Sequence, residues 1–118
     1  MQKAEMDLAL RTKNFARRII RLYAALPKQT VAQVLGKQLL RAGTSVGANY
    51  REARRGRSKA EFISKVGGSL KEADETAYWL ELLAEENILA ASRLGSLLKE
   101  TNELISILVT ASRRARNE

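Results

Sequence analysis

Apolar residues recur at intervals of three and four along almost the whole chain, and nowhere do they alternate in the period-two pattern of a strand. That rhythm restricts the fold class to all-α. It is interrupted at three places: near Pro27, the only proline; near Gly56; and around Asn87. The first helix is expected over roughly 5–26, with Leu8, Phe15, Ile19, Leu22 and Leu26 on one stripe and Thr12 filling the missing step. Lys13, Arg17, Arg21 and Lys28 fall on the opposite side, flanked by Arg11 and Arg18. Pro27 ends this helix, since the residue before a proline is driven out of the helical region.

The second helix is expected over 30–53, with Thr30 as its N-cap and Val31, Leu35, Leu39, Ala42, Val46, Asn49 and Ala53 on its stripe. It contains Gly36, Gly43 and Gly47, each costing roughly 1 kcal/mol against alanine in a helix. Close approach of a neighbouring backbone is the compensation such a helix needs. The third helix, over 58–86, opens on a capping box of Ser58 and Glu61. Gly67 and Gly68 lie in mid-helix, and Asn87 follows as a C-terminal cap. A fourth helix over 91–115 ends in Arg113, Arg114 and Arg116, where the helix dipole favours cations. Four helices joined by short links predict a single domain, an antiparallel up-down-up-down four-helix bundle spanning all 118 residues.

Charge is the strongest indicator of partners. Residues 1–59 carry 14 Lys and Arg against 3 Asp and Glu, a formal +11; residues 60–118 carry 7 against 10, or −3, and together these make the net +8. Nucleic acid is the first partner such a basic half suggests, and an acidic protein surface the second. The acidic half could equally meet the basic half of another copy. In an antiparallel bundle the turn Arg54-Arg55-Gly56-Arg57 shares one end with the arginine-rich C-terminal tail, so the cations pool there. Candidate phosphate contacts are Arg51, Arg54, Arg55, Arg57 and Lys59 at this corner, with Arg17, Arg18 and Arg21 on the first helix. Tyr50, Tyr78 and Trp79 could stack a base, but core or subunit-interface roles are the simpler expectation for so few aromatics.

Catalytic chemistry is poorly supplied. The chain has no histidine and no cysteine, which removes the commonest general base, thiolate metal sites and disulfides. Ser58 and Lys59 are adjacent and so sit on different faces of a helix. The acids Glu72, Asp74, Glu75, Glu81, Glu85 and Glu86 read as a solvated face or as partners for the basic helices, without the Glu-x-x-His motifs of a bundle di-metal site. No catalytic residue, metal ligand or cofactor is assigned, and an enzyme is not expected. No apolar run of ~20 residues is present to span a membrane, and MQKAEMDLAL lacks the layout of a signal peptide, so a cytoplasmic location is expected.

The pattern Ser45-Val46-Gly47-Ala48-Asn49-Tyr50-x-Glu52-Ala53, then Arg57-Ser58-x-x-Glu61-Phe62, then Gly68-Ser69-Leu70-x-Glu72-Ala73, resembles a four-helix-bundle protein family. Its founding members are encoded in intervening sequences of bacterial large-subunit ribosomal RNA genes. The accessory variability protein of diversity-generating retroelements is a related bundle. The resemblance covers about Phe15 to Leu108. It implies a ring-shaped homo-oligomer, a homopentamer, and a non-enzymatic accessory role in binding RNA or DNA. Its alternative implication is a module that docks a protein partner such as a reverse transcriptase. The matched residues carry structural expectations only: Gly47 and Ala48 for packing, Asn49 and Glu52 for holding the corner, with Glu52 pairing an arginine, and Ser58 with Glu61 for the cap.

Overall fold

The computed structural model describes residues 3–118, with side chains from Asp7 onward; the first two residues of MQKAEMDLAL lie outside it. Four helices account for nearly all of it: α1 (Lys3–Ala24), α2 (Thr30–Arg54), α3 (Lys59–Glu85) and α4 (Ala91–Asn117). No strand occurs among the described residues, and no helix there is long and apolar enough to cross a membrane. The helices run antiparallel to their neighbours in a rod of 47 × 21 × 19 Å. α2 packs on both α1 and α3, and α3 packs on α4, whereas α1 and α4 barely meet.

The stripes read from the sequence form one core, with Phe15, Ile19, Leu39, Val46, Val66, Leu80, Leu104 and Leu108 all excluded from solvent. Thr12 is buried within the α1 stripe, its hydroxyl donating to the Ala9 carbonyl at 3.1 Å. The boundaries differ from expectation at α1 and α2. α1 gives up regular geometry at Ala24 rather than Leu26. Its last turn tightens ahead of Pro27, with Ala25 N–H donating to the Leu22 carbonyl at 3.0 Å and Leu26 N–H to Tyr23 at 3.1 Å. Thr30 is the first helical residue of α2, and Gln29 is the N-cap, with no side-chain capping bond. α3 closes in a Schellman motif. Asn87 adopts φ 55°, its N–H donates to the Ala84 carbonyl at 3.1 Å, and Ile88 N–H donates to Leu83 at 3.0 Å.

The glycines set the spacing of α2 from its neighbours. A Cβ on Gly43 would lie 2.7 Å from Cγ1 of the fully buried Ile19, and one on Gly47 would lie 3.3 Å from the Thr12 backbone carbonyl. On the other side, the buried Ser69 hydroxyl of α3 donates to the Val46 carbonyl of α2 at 2.7 Å. Asn49 donates to the Ser45 carbonyl at 2.9 Å, and its Oδ1 occupies the space a Cβ on Gly68 would need, 3.0 Å away. Gly67 and Gly95 have nothing within 4 Å of an added Cβ.

Ion pairs stitch the outer seams. Arg11 of α1 grips Glu100 of α4 with two hydrogen bonds, at 2.8 and 2.7 Å, and reaches Glu103 at 2.8 Å. Arg41 of α2 bonds Glu72 of α3 at 2.9 Å and also Glu75. The Arg11 hydrogen bonds hold the Glu100 carboxyl below the usual carboxylate range, and partial burial opposes them. Glu75 is lowered first by the hydrogen bond from Trp79 Nε1, at 3.2 Å, and then by Arg41.

This packing has two measurable consequences for stability. Gly43→Ala forces a buried Ile19 aside, at a cost of about 1–3 kcal/mol that exceeds the helix-propensity gain, so it should lower Tm; Gly95→Ala meets nothing and should raise Tm by a few degrees. The depressed Glu100 carboxyl contributes stability that is complete above the ordinary carboxylate range and is lost as pH falls through its lowered folded-state value. Because Arg11 is part-exposed, Glu100→Gln should cost only about 1 kcal/mol at pH 7. Thermal unfolding of the variant and the native chain should differ by about 4 °C there and converge as acid protonates the depressed Glu100 carboxyl.

Candidate nucleic-acid interface

The corner between α2 and α3 is short because both helix ends are closed locally. α2 finishes with Arg55 N–H donating to the Glu52 carbonyl at 3.2 Å and Gly56 N–H to the Ala53 carbonyl at 3.1 Å. A Cβ on Gly56 would sit 3.1 Å from that same Ala53 oxygen and 3.3 Å from Glu61 Cβ, so glycine lets the chain double back tightly. Ser58 then caps α3, its hydroxyl accepting from Glu61 N–H at 3.1 Å, while the Glu61 carboxylate accepts from the N–H of Arg57. With its backbone groups satisfied in this way, the turn presents Arg55, Arg57 and Lys59 to solvent, and Arg54 half-buried beside them.

Helix dipoles act unequally on these cations. Arg51 and Arg54 stand in the last turn of α2, where positive charge is favoured. Lys59 opens α3, where it is disfavoured, and its Nζ turns to the carbonyl of Arg116 at the C-terminal end of α4, 3.5 Å away. The α4 tail thus reaches the corner. Arg114 also faces it, sharing a surface depression with Tyr50 and Phe62.

A second depression runs from the corner along the α1–α2 seam. It is lined by the small residues Ala16, Thr44, Gly47 and Ala48 and by Lys13, Arg51, Arg54 and Arg55, with Leu10 and the acid Glu52 among them. Arg17 and Arg21 are exposed farther along α1. Since Gly43 faces Ile19 and Gly36 faces Tyr23, these two arginines stand about 15–20 Å along the axis from Arg54, at 1.5 Å per residue. Arg18 turns to α4 and donates to the Ser96 hydroxyl at 2.5 Å. The eight candidate phosphate contacts therefore divide into a corner of five, an exposed pair on α1, and Arg18 on the α4 flank. Lys13 lines the same depression as the corner cations, and its spacing of four from Arg17 is the sequence signal for it.

The structural candidates also separate. Ser58 and Glu61 build the corner; Gly47 serves the α1–α2 contact; Asn49 spaces α2 from α3 rather than holding the turn. Glu52 pairs with Lys65 at 3.6 Å and not with an arginine, because it leaves α2 on the side facing α3. Among the described residues the ion pairs consume Arg11, Arg41 and Lys65, while none involves Arg51, Arg55, Arg57, Arg17 or Arg21. Tyr50 is 2% exposed and belongs to the core, which removes it from base stacking. Tyr78 is 55% exposed and meets Trp79 edge-on, ring centroids 5.1 Å apart. No cluster of three or more acids suited to a metal ion occurs among the described residues.

Residues 4–110 match the sequence profile of a family described as 23S rRNA-intervening sequence protein. A crystal structure of a protein with unknown function from the S23 ribosomal protein family, from Bacteroides thetaiotaomicron, is similar at TM-score 0.87 and 38% identity, covering 92% of this chain and 97% of that one. No curated protein is significantly similar in sequence.

Proposed function

The chain belongs to the 23S rRNA-intervening sequence protein family, and from that premise we propose that it is a non-enzymatic accessory protein that binds nucleic acid as a ring-shaped homo-oligomer. Phosphate is held by the corner set Arg51, Arg54, Arg55, Arg57 and Lys59. The observation that carries this reading is the exposure of Arg51, Arg55 and Arg57 on two closed helix ends with no carboxylate among the described residues paired to them, while Arg11 and Arg41 are each bridged to two acids. Cations clustered this closely repel one another and gain most from a polyanion that displaces its own counterions. Such contacts fix position along a backbone without reading sequence. A homopentamer would repeat the corner five times around one axis, so that several weak contacts act on one strand at high effective concentration. The absence of His and Cys supports the non-enzymatic reading.

The test is binding of fluorescent RNA and DNA, single-stranded and duplex, across a salt series. The native chain should show a steep loss of affinity with salt. Arg54→Ala/Arg55→Ala/Arg57→Ala should flatten the log–log slope by about 2–3, at roughly 0.7–0.9 for each phosphate no longer neutralised. An unchanged slope removes the corner from the site. No binding even at low salt assigns the basic surface to an acidic protein partner, of which a reverse transcriptase is one candidate.

A further inference from the structure

Among the described residues, three of the five large apolar side chains most exposed to solvent stand on two helix faces of opposite charge. On α1, Leu10 (60% exposed) and Ile20 (50%) share the outward face with Lys13, Arg17 and Arg21. On α3, Tyr78 (55%) shares the outward face with Asp74, Glu81 and Glu85, and Lys71 lies at its edge. None of these charged groups has an ion-pair partner among the described residues. Leu10 to Arg21 and Asp74 to Glu85 are each eleven steps of helix, about 16 Å long. The two faces therefore match in length, in opposite sign of charge and in carrying exposed apolar groups.

One molecule cannot bring them together. α1 packs on α2, α3 packs on α2 and α4, and α1 and α3 make no contact, so their outward faces point to different sides of the rod. We propose that the α1 face of one copy docks on the α3 face of the next, and that this head-to-tail contact is the subunit interface of the assembly. The inference rests on the homo-oligomeric reading given above and names the surfaces that build it. A contact of two different patches propagates from copy to copy and closes into a ring when its rotation allows. Phosphate is the poorer occupant of the α1 face. A nucleic-acid backbone would pair the cations yet leave Leu10 and Ile20 uncovered, whereas a helix bearing Tyr78 covers them. Arg17 and Arg21 stand apart from the corner cations, whereas Leu10 and Lys13 border the depression that Arg51, Arg54 and Arg55 also line, so the two surfaces adjoin at that end of α1.

Reciprocal charge reversal tests the contact, read by sedimentation equilibrium. Arg17→Glu/Arg21→Glu and Glu81→Lys/Glu85→Lys should each shift the midpoint of self-association up by about a hundredfold or more, because like charges then face each other. The chain carrying all four changes should return to within about tenfold of the native midpoint, which also shows that the single-face variants were folded. Unchanged mass in either two-residue variant overturns the proposal while leaving a homo-oligomer intact. A four-residue variant as dissociated as its parents overturns it too. Loss of nucleic-acid affinity by Arg17→Glu/Arg21→Glu at native mass would give the α1 face to nucleic acid instead. A native chain that is monomeric at micromolar concentration would remove both this contact and the homo-oligomer itself.

Discussion

Everything in this bundle hangs on how closely α2 lies against its two neighbours. Gly43 and Gly47 bring α1 to within contact of the α2 backbone, and the buried Ser69 hydroxyl ties α3 to the Val46 carbonyl from the other side. A helix with three internal glycines is intrinsically poor, so its regularity has to come from tertiary contact. That closeness fixes the width of the α2–α3 corner and leaves the α1–α2 seam lined by small residues. The placement of the basic side chains thus follows from backbone spacing in the core.

Arginine is used here in two ways. Arg11 and Arg41 are structural: each reaches across a seam to two carboxylates, and in both cases the acids come from the half of the chain with net negative charge. Among the described residues Arg51, Arg55, Arg57, Lys13, Arg17 and Arg21 of the basic half form no ion pair, and they gather at the corner and along the outward side of α1. Had the acidic half simply neutralised the basic half within one molecule, such a division would not arise. The surplus charge is available for other molecules, which is the common premise of nucleic-acid binding and of self-association.

Helix number, helix type and the Ser58–Glu61 cap are all readable from residue spacing, because they depend on neighbours within one turn. What spacing misses is decided across helices. Adjacent Gly67 and Gly68 look alike in sequence, yet only Gly68 faces the Asn49 side chain and is needed for packing. Arg17 and Arg18 are likewise neighbours, but a rotation of 100° leaves one in solvent and turns the other to Ser96. Glu52 lies near arginines of its own helix end in sequence, and the α2–α3 register gives it Lys65 instead. Tyr50 stands within a basic stretch yet fills the core beneath it, the simpler of the two roles its sequence context allows. Periodicity identifies the α1 stripe, but the boundary at Ala24 depends on how the chain relaxes before Pro27.

The seam between α1 and α4 differs in kind from the other three. Its helices barely meet, and long polar side chains, Arg11 to Glu100 and Glu103 and Arg18 to Ser96, span most of the gap. A hydrocarbon seam is indifferent to dissolved ions, but a seam of part-exposed charge pairs is screened by them. α1 and α4 are accordingly each held by one strong flank, α2 and α3 respectively, and share one that weakens with ionic strength. In amide-exchange terms α2 and α3, each packed on two neighbours, form the inner pair whose amides should exchange most slowly, with α1 and α4 as the outer pair that opens first.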